Sequence, residues 1–220
     1  MRENRIQAMN KRLNHWLPRS KSAQIIDLGC GNGEFLILLK RLGYTNYLGI
    51  DANRKIIQEA ARCLPEGKVE VGEIIKFLSN NKKKFDLICA FDVVEHFSKE
   101  NALKCLTLIH RSLKKDGLFL LQLPNPNSPL VNAVYFGDIT HQNMYAPSSL
   151  RTILEQTGFV KIEMQEISPS VHSPVSFLRF IFWRIIRRFI WFHYLVETGS
   201  PADNIYSRVF LVKAKKINQV

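Results

Sequence analysis

The sequence predicts an α/β fold, a parallel β-sheet covered by helices on both faces, and three observations carry the prediction. Short β-type runs alternate with segments whose apolar residues recur at three- and four-residue steps. The first of those runs breaks into three glycines at alternate positions, Gly29, Gly31 and Gly33, where a helix is about to open. The chain of 220 residues, 46% hydrophobic and 23% charged, has room for one domain with a substantial core and too little for a second domain of ordinary size.

Residues 1–22 carry six basic residues and no uninterrupted apolar core, so they do not read as a secretory signal. Ile6, Met9, Leu13 and Trp16 recur at helical spacing, which predicts a basic amphipathic helix laid on the domain body. Strands follow at 23–28, 47–51, 68–72, 85–91 and 117–123, with helices at 35–42, 54–63, 73–78 and 102–113 between them. Pro124 ends the fifth strand and opens a connection over 124–147 rich in Pro, Asn and aromatic residues; unbroken connections of that length are uncommon except as lids or binding loops. A helix over 149–157, closed by Gly158, leads to a strand at 159–167. After an insertion at 168–204, residues 207–214 form the last strand, and the whole of 1–220 reads as a single domain.

The four cysteines, Cys30, Cys63, Cys89 and Cys105, show no metal-ligand spacing and read as reduced thiols of a reducing cytosol. A formal charge of +12 implies attraction to a polyanion: nucleic acid, an anionic bilayer surface or a phosphorylated substrate.

A strand that ends in Gly-x-Gly-x-Gly lets backbone approach a ligand without interference from Cβ and aims free helix N–H groups at an anion. Dinucleotide-binding loops space their glycines G-x-G-x-x-G/A around a pyrophosphate. Here the third glycine comes one residue early, and Glu34 stands where a final small residue is usual. An acid there sits poorly beside a pyrophosphate. A ligand with one carboxylate and one ammonium fits better: loop amides hold the carboxylate, while Asp27 and Glu34 supply negative potential, unless they merely cap or solvate the helix start. S-adenosylmethionine is such a ligand. Asp51, 22 residues after Gly29, is placed to accept hydrogen bonds from ribose hydroxyls, a signal shared with nicotinamide-binding proteins.

IIDLGCGNGEF at residues 25–35, LGID ending at Asp51, VEVGEI at the third strand and FDLICAFDVVEHF at the fourth resemble, in order, the four signatures of class I S-adenosylmethionine-dependent methyltransferases. The resemblance covers about residues 20–125. It implies a Rossmann-like sheet of seven strands with the last antiparallel, and a cofactor across the carboxyl ends of the first strands. It assigns cofactor binding to Asp27, Gly29, Cys30, Gly31, Gly33, Asp51 and Ala52, with Glu73 and Ile74 near the adenine and Phe91 and Asp92 lining the cofactor at the fourth strand.

The family's Asn/Asp-Pro-Pro-Tyr/Phe stretch of amine methylation is missing after the fourth strand, where Asp92-Val93-Val94-Glu95-His96 stands instead. His96 is a candidate general base, the alternatives being a helix cap or a packing ring. The segment Asp138-Ile139-Thr140-His141, followed by Gln142, Asn143 and Tyr145, is dense in groups that read hydroxyls; with Tyr135 and Phe136 nearby it suits a sugar, a polyol or an aromatic ring. His141 is the preferred base, the alternative being a hydrogen bond that braces the loop, and Asp138 completes the candidate catalytic set. This segment also resembles one in methyltransferases of bacterial surface-glycan and lipid-linked saccharide pathways. Asp92, Glu95 and Asp138 could converge on Mg²⁺, as in some sugar and quinone O-methyltransferases, but the expectation is that no metal is used.

Residues 175–196 carry Arg179, Arg184, Arg187 and Arg188, which make spanning a bilayer costly. On a helical wheel the arginines share one half with Trp183, Trp191 and Tyr194, while Leu178, Ile181, Phe182, Ile185, Ile186, Phe189, Phe192 and Val196 occupy the other. Such a helix suits a membrane interface, or else a lid or dimer contact. Together the features predict an O-methyltransferase acting on a saccharide or lipid-linked glycan in the cytoplasm, peripheral at the inner face of the membrane. An RNA or quinone-type methyltransferase is the alternative, with nucleic acid disfavoured because base-stacking aromatics are not evident outside the insertion. A third reading keeps the cofactor pocket in a membrane-associated protein without catalysis.

Overall fold

The computed structural model describes residues 2–200 and 203–217. The N-terminal segment forms helix α1 (Arg2–Leu13), then a 3-10 turn (Asn14–Trp16). The predicted stripe explains its position: Ile6, Leu13 and Trp16 are buried and Met9 packs against them, each fully buried side chain stabilising by about 1.5–3 kcal/mol. Strand β1 (Ile25–Leu28) leads through the glycine turn into α2 (Glu34–Arg41), β2 (Tyr47–Asp51), α3 (Arg54–Ala61), β3 (Val69–Val71), α4 (Ile74–Asn80) and β4 (Phe85–Phe91). Then come α5 (Lys99–Ser112), β5 (Leu113–Pro124), α6 (Val131–Tyr135), α7 (Pro147–Gln156), β6 (Phe159–Glu166), α8 (Pro174–Thr198) and β7 (Val209–Lys216).

The seven strands form one sheet in the order β3-β2-β1-β4-β5-β7-β6, parallel except for β7, which runs antiparallel to both neighbours. The period-2 alternation of strands is visible in the core. Ile26, Ile88, Phe119 and Val212 face one helix layer, while Ile25, Leu87, Leu120 and Leu211 face the other. Strand order reverses between β1 and β4, and ligands of open α/β sheets lie at the carboxyl ends of the strands at such a point.

The fold is the predicted Rossmann-like one, with shifted boundaries. The helix expected at 102–113 begins at Lys99, because Ser98 caps it by accepting from the Asn101 N–H. It ends at Ser112, and β5 starts at once and is longer than expected. The connection over 124–147 contains the short helix α6.

Within the insertion, α8 starts at a Ser173–Ser176 capping box and ends at Gly199 in the left-handed conformation. Arg187 clamps it to the body: its Nε pairs with Glu166, a second guanidinium nitrogen donates to the Asn204 carbonyl at 2.8 Å, and its plane lies over the Tyr206 ring. Tyr194 stacks on Tyr206 and donates to the Asn127 carbonyl at 3.2 Å. The half of the helix carrying Trp183, Arg187 and Tyr194 therefore faces the protein, and the apolar half faces outward.

Candidate functional site

The glycine turn creates a cavity of about 650 Å³ at the ends of β1, β4 and β5. Gly29 has φ +72°, and a Cβ there would stand 2.4 Å from Val93 Cγ2, so only glycine fits. Gly31 also has positive φ, but a Cβ on it would meet no atom within 4 Å. The turn is held to β2: Gly29 and Cys30 donate to the Ile50 carbonyl, and Gly31 N–H donates to Asp51 Oδ2 at 3.0 Å.

Asp27 projects from the middle of the sheet into this cavity, only 3% exposed, with Oδ1 unpartnered. Burial first, and the Asp51 charge second, raise its carboxyl well above the ordinary range. A buried acid without a partner is costly unless a cationic group completes it. Helix α1 closes the cavity from outside and brings Arg5 and Arg12 to its lining. Arg5 lies 3.6 Å from Glu34, a pair whose arginine is exposed and whose energetic value is small. Burial lowers the pKa of Arg12, yet a guanidinium keeps its charge at neutral pH. A buried acid with one oxygen unpartnered, a guanidinium and an open glycine cradle fit the ammonium, the carboxylate and the backbone approach that S-adenosylmethionine requires.

Of the residues expected to bind cofactor, Asp27, Gly29, Cys30, Gly31, Phe91 and Asp92 line this cavity. Gly33 sits behind them as the left-handed cap of α2. Asp51 braces the turn and accepts from Asn53 N–H at 2.8 Å; it, exposed Ala52, Glu73 and Ile74 stand at the carboxyl ends of β2 and β3, outside the cavity lining. Arg12, Gln122 and Leu211 line the cavity without having been singled out. The basic face of α1 was visible in the sequence, but it reads equally as a solvated face.

Asp92 joins this cavity to the acceptor side. Its φ is +55°, a strained value for a non-glycine residue, held by Asp92 N–H donating to the Gln122 carbonyl and by Gln122 Nε2 donating to Asp92 Oδ2 at 2.8 Å. The carboxylate is open to solvent in the concave mouth yet crowded by protein. That crowding raises its pKa above the ordinary carboxylate value, offset only in part by the Gln122 hydrogen bond and the neighbouring imidazoles.

The substrate loop is pinned there by Gln142 and Asn143, whose N–H groups both donate to the Glu95 carbonyl, and by Asn143 Nδ2 donating to the Phe97 carbonyl at 2.6 Å. This brings the His96 and His141 rings to 4.8 Å. His141 Nδ1 lies 3.1 Å from the Tyr135 carbonyl, which can only accept, so Nδ1 is the donor there and Nε2 is left without a partner in the loop. Asp138 is fully exposed, and its hydrogen bonds from Thr140 lower its pKa, so it is ionised. Thr140 Oγ1 therefore donates to Asp138 at 2.6 Å and accepts from His96 Nδ1 at 2.9 Å, leaving His96 Nε2 free as well. Asp138 thus reaches the imidazole pair through Thr140, as a positioning residue.

The three acids weighed as a possible magnesium set, Asp92, Glu95 and Asp138, do not form a cluster among the described residues, because Asp138 is turned to Thr140. Glu95, His96 and His141 instead place donor atoms within 4.8 Å of one another, a set that could hold a divalent cation. Glu95 is 1% exposed with both carboxylate oxygens unpartnered, and burial raises it to about 8. Folded Glu95 thus keeps a proton that the unfolded chain, with its ordinary value of 4.5, gives up. Its contribution to stability is complete below about pH 4.5 and is lost as pH rises through about 8. Glu95→Gln should flatten the fall of Tm between about pH 5 and about pH 8. Parallel calorimetric Tm curves for variant and parent would show that no neutral acid is buried there.

Residues 1–164 match the family described as "Methyltransferase domain". The chain is 32% identical over 98 residues to the "Ribosomal protein L11 methyltransferase" of Thermosipho melanesiensis, covering 44% of this chain and 36% of that protein. It is 30% identical over 113 residues to the "Ubiquinone biosynthesis O-methyltransferase" of Pelagibacter ubique, covering 48% and 43%. The chain spans less than half the length of these two relatives. A solved SAM-dependent methyltransferase from Archaeoglobus fulgidus superposes with a TM-score of 0.71, at 24% identity, over 96% of this chain and 94% of that one. The match over residues 1–164, on a sheet of this order with a glycine cradle at its reversal point, shows that the chain belongs to the methyltransferase-domain family, the S-adenosylmethionine-dependent enzymes of Rossmann-like fold.

Proposed function

We propose that this chain transfers the methyl group of S-adenosylmethionine to a hydroxyl of an acceptor held against His96 and His141. The observation that carries this reading is the imidazole pair, with both Nδ1 atoms engaged and both Nε2 atoms free, within electrostatic reach of Asp92 at the mouth of the cofactor cavity. When bound there, S-adenosylmethionine supplies a sulfonium methyl group open to attack by an oxygen nucleophile. Asp27 would hold its ammonium, and Arg12 and the turn amides its carboxylate. His141 Nε2 takes the acceptor's hydroxyl proton, and the Asp138–Thr140 relay keeps His96 oriented as its neighbour.

The acceptor proposed is a saccharide or lipid-linked glycan, supported by the exposed amide of Gln142 and the exposed carboxylate of Asp138 on the loop that carries His141. A quinone-type acceptor is the second reading, favoured by the relative named for ubiquinone biosynthesis and by the ring of Tyr135 stacked on His141 at 5.7 Å. Incubation with a labelled methyl donor and a lysate separated into lipid, glycan and RNA fractions tests these. Label in glycan or glycolipid is expected, unchanged by chelator. Label in quinones or RNA would replace the reading, and cofactor binding with no label in any fraction would support a non-catalytic protein.

A further inference from the structure

We propose that the outward side of α8 is a docking surface for an anionic lipid bilayer. Leu178, Phe182, Ile185, Phe189, Phe192 and Val196 line that side and are 47% to 70% exposed. Contiguous apolar surface of this extent on a soluble domain marks an interaction site. Arg179 flanks the strip on one edge and Arg184 and Arg188 on the other, all exposed, and the one acid of α8 is Glu197 in its last turn, 3.5 Å from His193. Apolar side chains can then enter the acyl boundary while the guanidinium groups sit at the level of the lipid phosphates. The remaining arginine, Arg187, is turned inward to Glu166 and takes no part.

Charge separates a bilayer from a second copy of the chain. A symmetric pair through this face would set two such arginine rows together on chains that each carry +12. The contact is also a surface one: among the described residues no helix is long and apolar enough to cross a membrane. The acceptor loop adjoins the same face. A groove of about 850 Å³ runs between the second half of α8 and Ser128–Pro129, and Leu130 and Ile139 further along that loop are 61% and 99% exposed. Docking would present the loop bearing His141 to the bilayer; this consequence rests on the proposed acceptor site, whereas docking itself does not.

Sedimentation of the full chain with sucrose-loaded vesicles tests the proposal. Vesicles of equimolar phosphatidylcholine and phosphatidylglycerol should carry the protein down, and phosphatidylcholine alone far less. Arg179→Gln/Arg184→Gln/Arg188→Gln should weaken partitioning on the order of 100-fold, from about fivefold per arginine. Phe182→Ser/Phe189→Ser/Phe192→Ser should abolish it, with Tm held because these side chains touch little protein. Absence of parental binding to the anionic vesicles would overturn the proposal. So would a dimer, seen by light scattering, that the phenylalanine variant dissolves. Methyl transfer to a water-soluble acceptor, measured in parallel without lipid, reports on the acceptor site alone and separates the two failures.

Discussion

Gly29→Ala should lower stability by about 2–5 kcal/mol and remove measurable binding of S-adenosylmethionine. The left-handed backbone at φ +72° costs a non-glycine residue about 1–2 kcal/mol. The new methyl group would lie 2.4 Å from Val93 Cγ2, and relieving such a contact in a packed site costs about 1–3 kcal/mol more. Val93 follows Asp92, so the relief also moves the mouth of the cavity. For a domain of this size the loss corresponds to a Tm decrease of roughly 4–20 °C. Gly31→Ala is the discriminating comparison. Its φ of +49° carries strain of about 1–2 kcal/mol, but its Cβ would meet nothing within 4 Å and would point into open space at the cradle. It should weaken cofactor binding with a clearly smaller Tm loss. Calorimetric titration and differential scanning on both variants decide the matter, and equal Tm losses would refute the Val93 contact as the cause.

His141→Ala should reduce kcat by about 10²–10⁴ while leaving the Kd for S-adenosylmethionine unchanged, the usual range for removing a general base. The ring lies outside the lining of the cofactor cavity, so a simple packing role would not separate the two constants in this way. His96→Ala should also slow turnover. Thr140→Val should give a milder defect of roughly tenfold, the value of one hydrogen bond of about 1.4 kcal/mol, because it cuts the link from Asp138 to His96 Nδ1 without removing either imidazole. Steady-state kinetics on the acceptor found by labelling checks all three, and normal kcat in both histidine variants would remove the imidazole pair from the mechanism.

Alternating strands and helices were legible because β-periodicity and helical periodicity are local. Neighbouring Ile25 and Ile26 must point to opposite layers once the strand forms, and they do. The glycine turn was legible for the same reason, since backbone freedom at Gly29 and Gly31 belongs to the residues themselves. The unusual place of Asp27 was legible too, because a carboxylate inside the apolar run IIDL must be buried with the strand, and it lines the cavity.

The tertiary structure decided what depends on residues far apart in the chain. Arg12 became a cavity residue only when α1 folded across the ends of β1 and β4. The relay from Asp138 through Thr140 to His96 joins positions 44 residues apart, and the same loop closure set two imidazoles, not Asp92 and Asp138, beside the buried Glu95. A helical wheel divided residues 175–196 into two halves with no means of saying which would face the body. Glu166, Asn204 and Tyr206 chose the half bearing Arg187 and Tyr194, because a guanidinium and a phenol find partners there that an aliphatic strip cannot use. Local patterning determined which elements form and where the backbone must bend; the long-range pairing of charges and hydrogen bonds determined which faces meet.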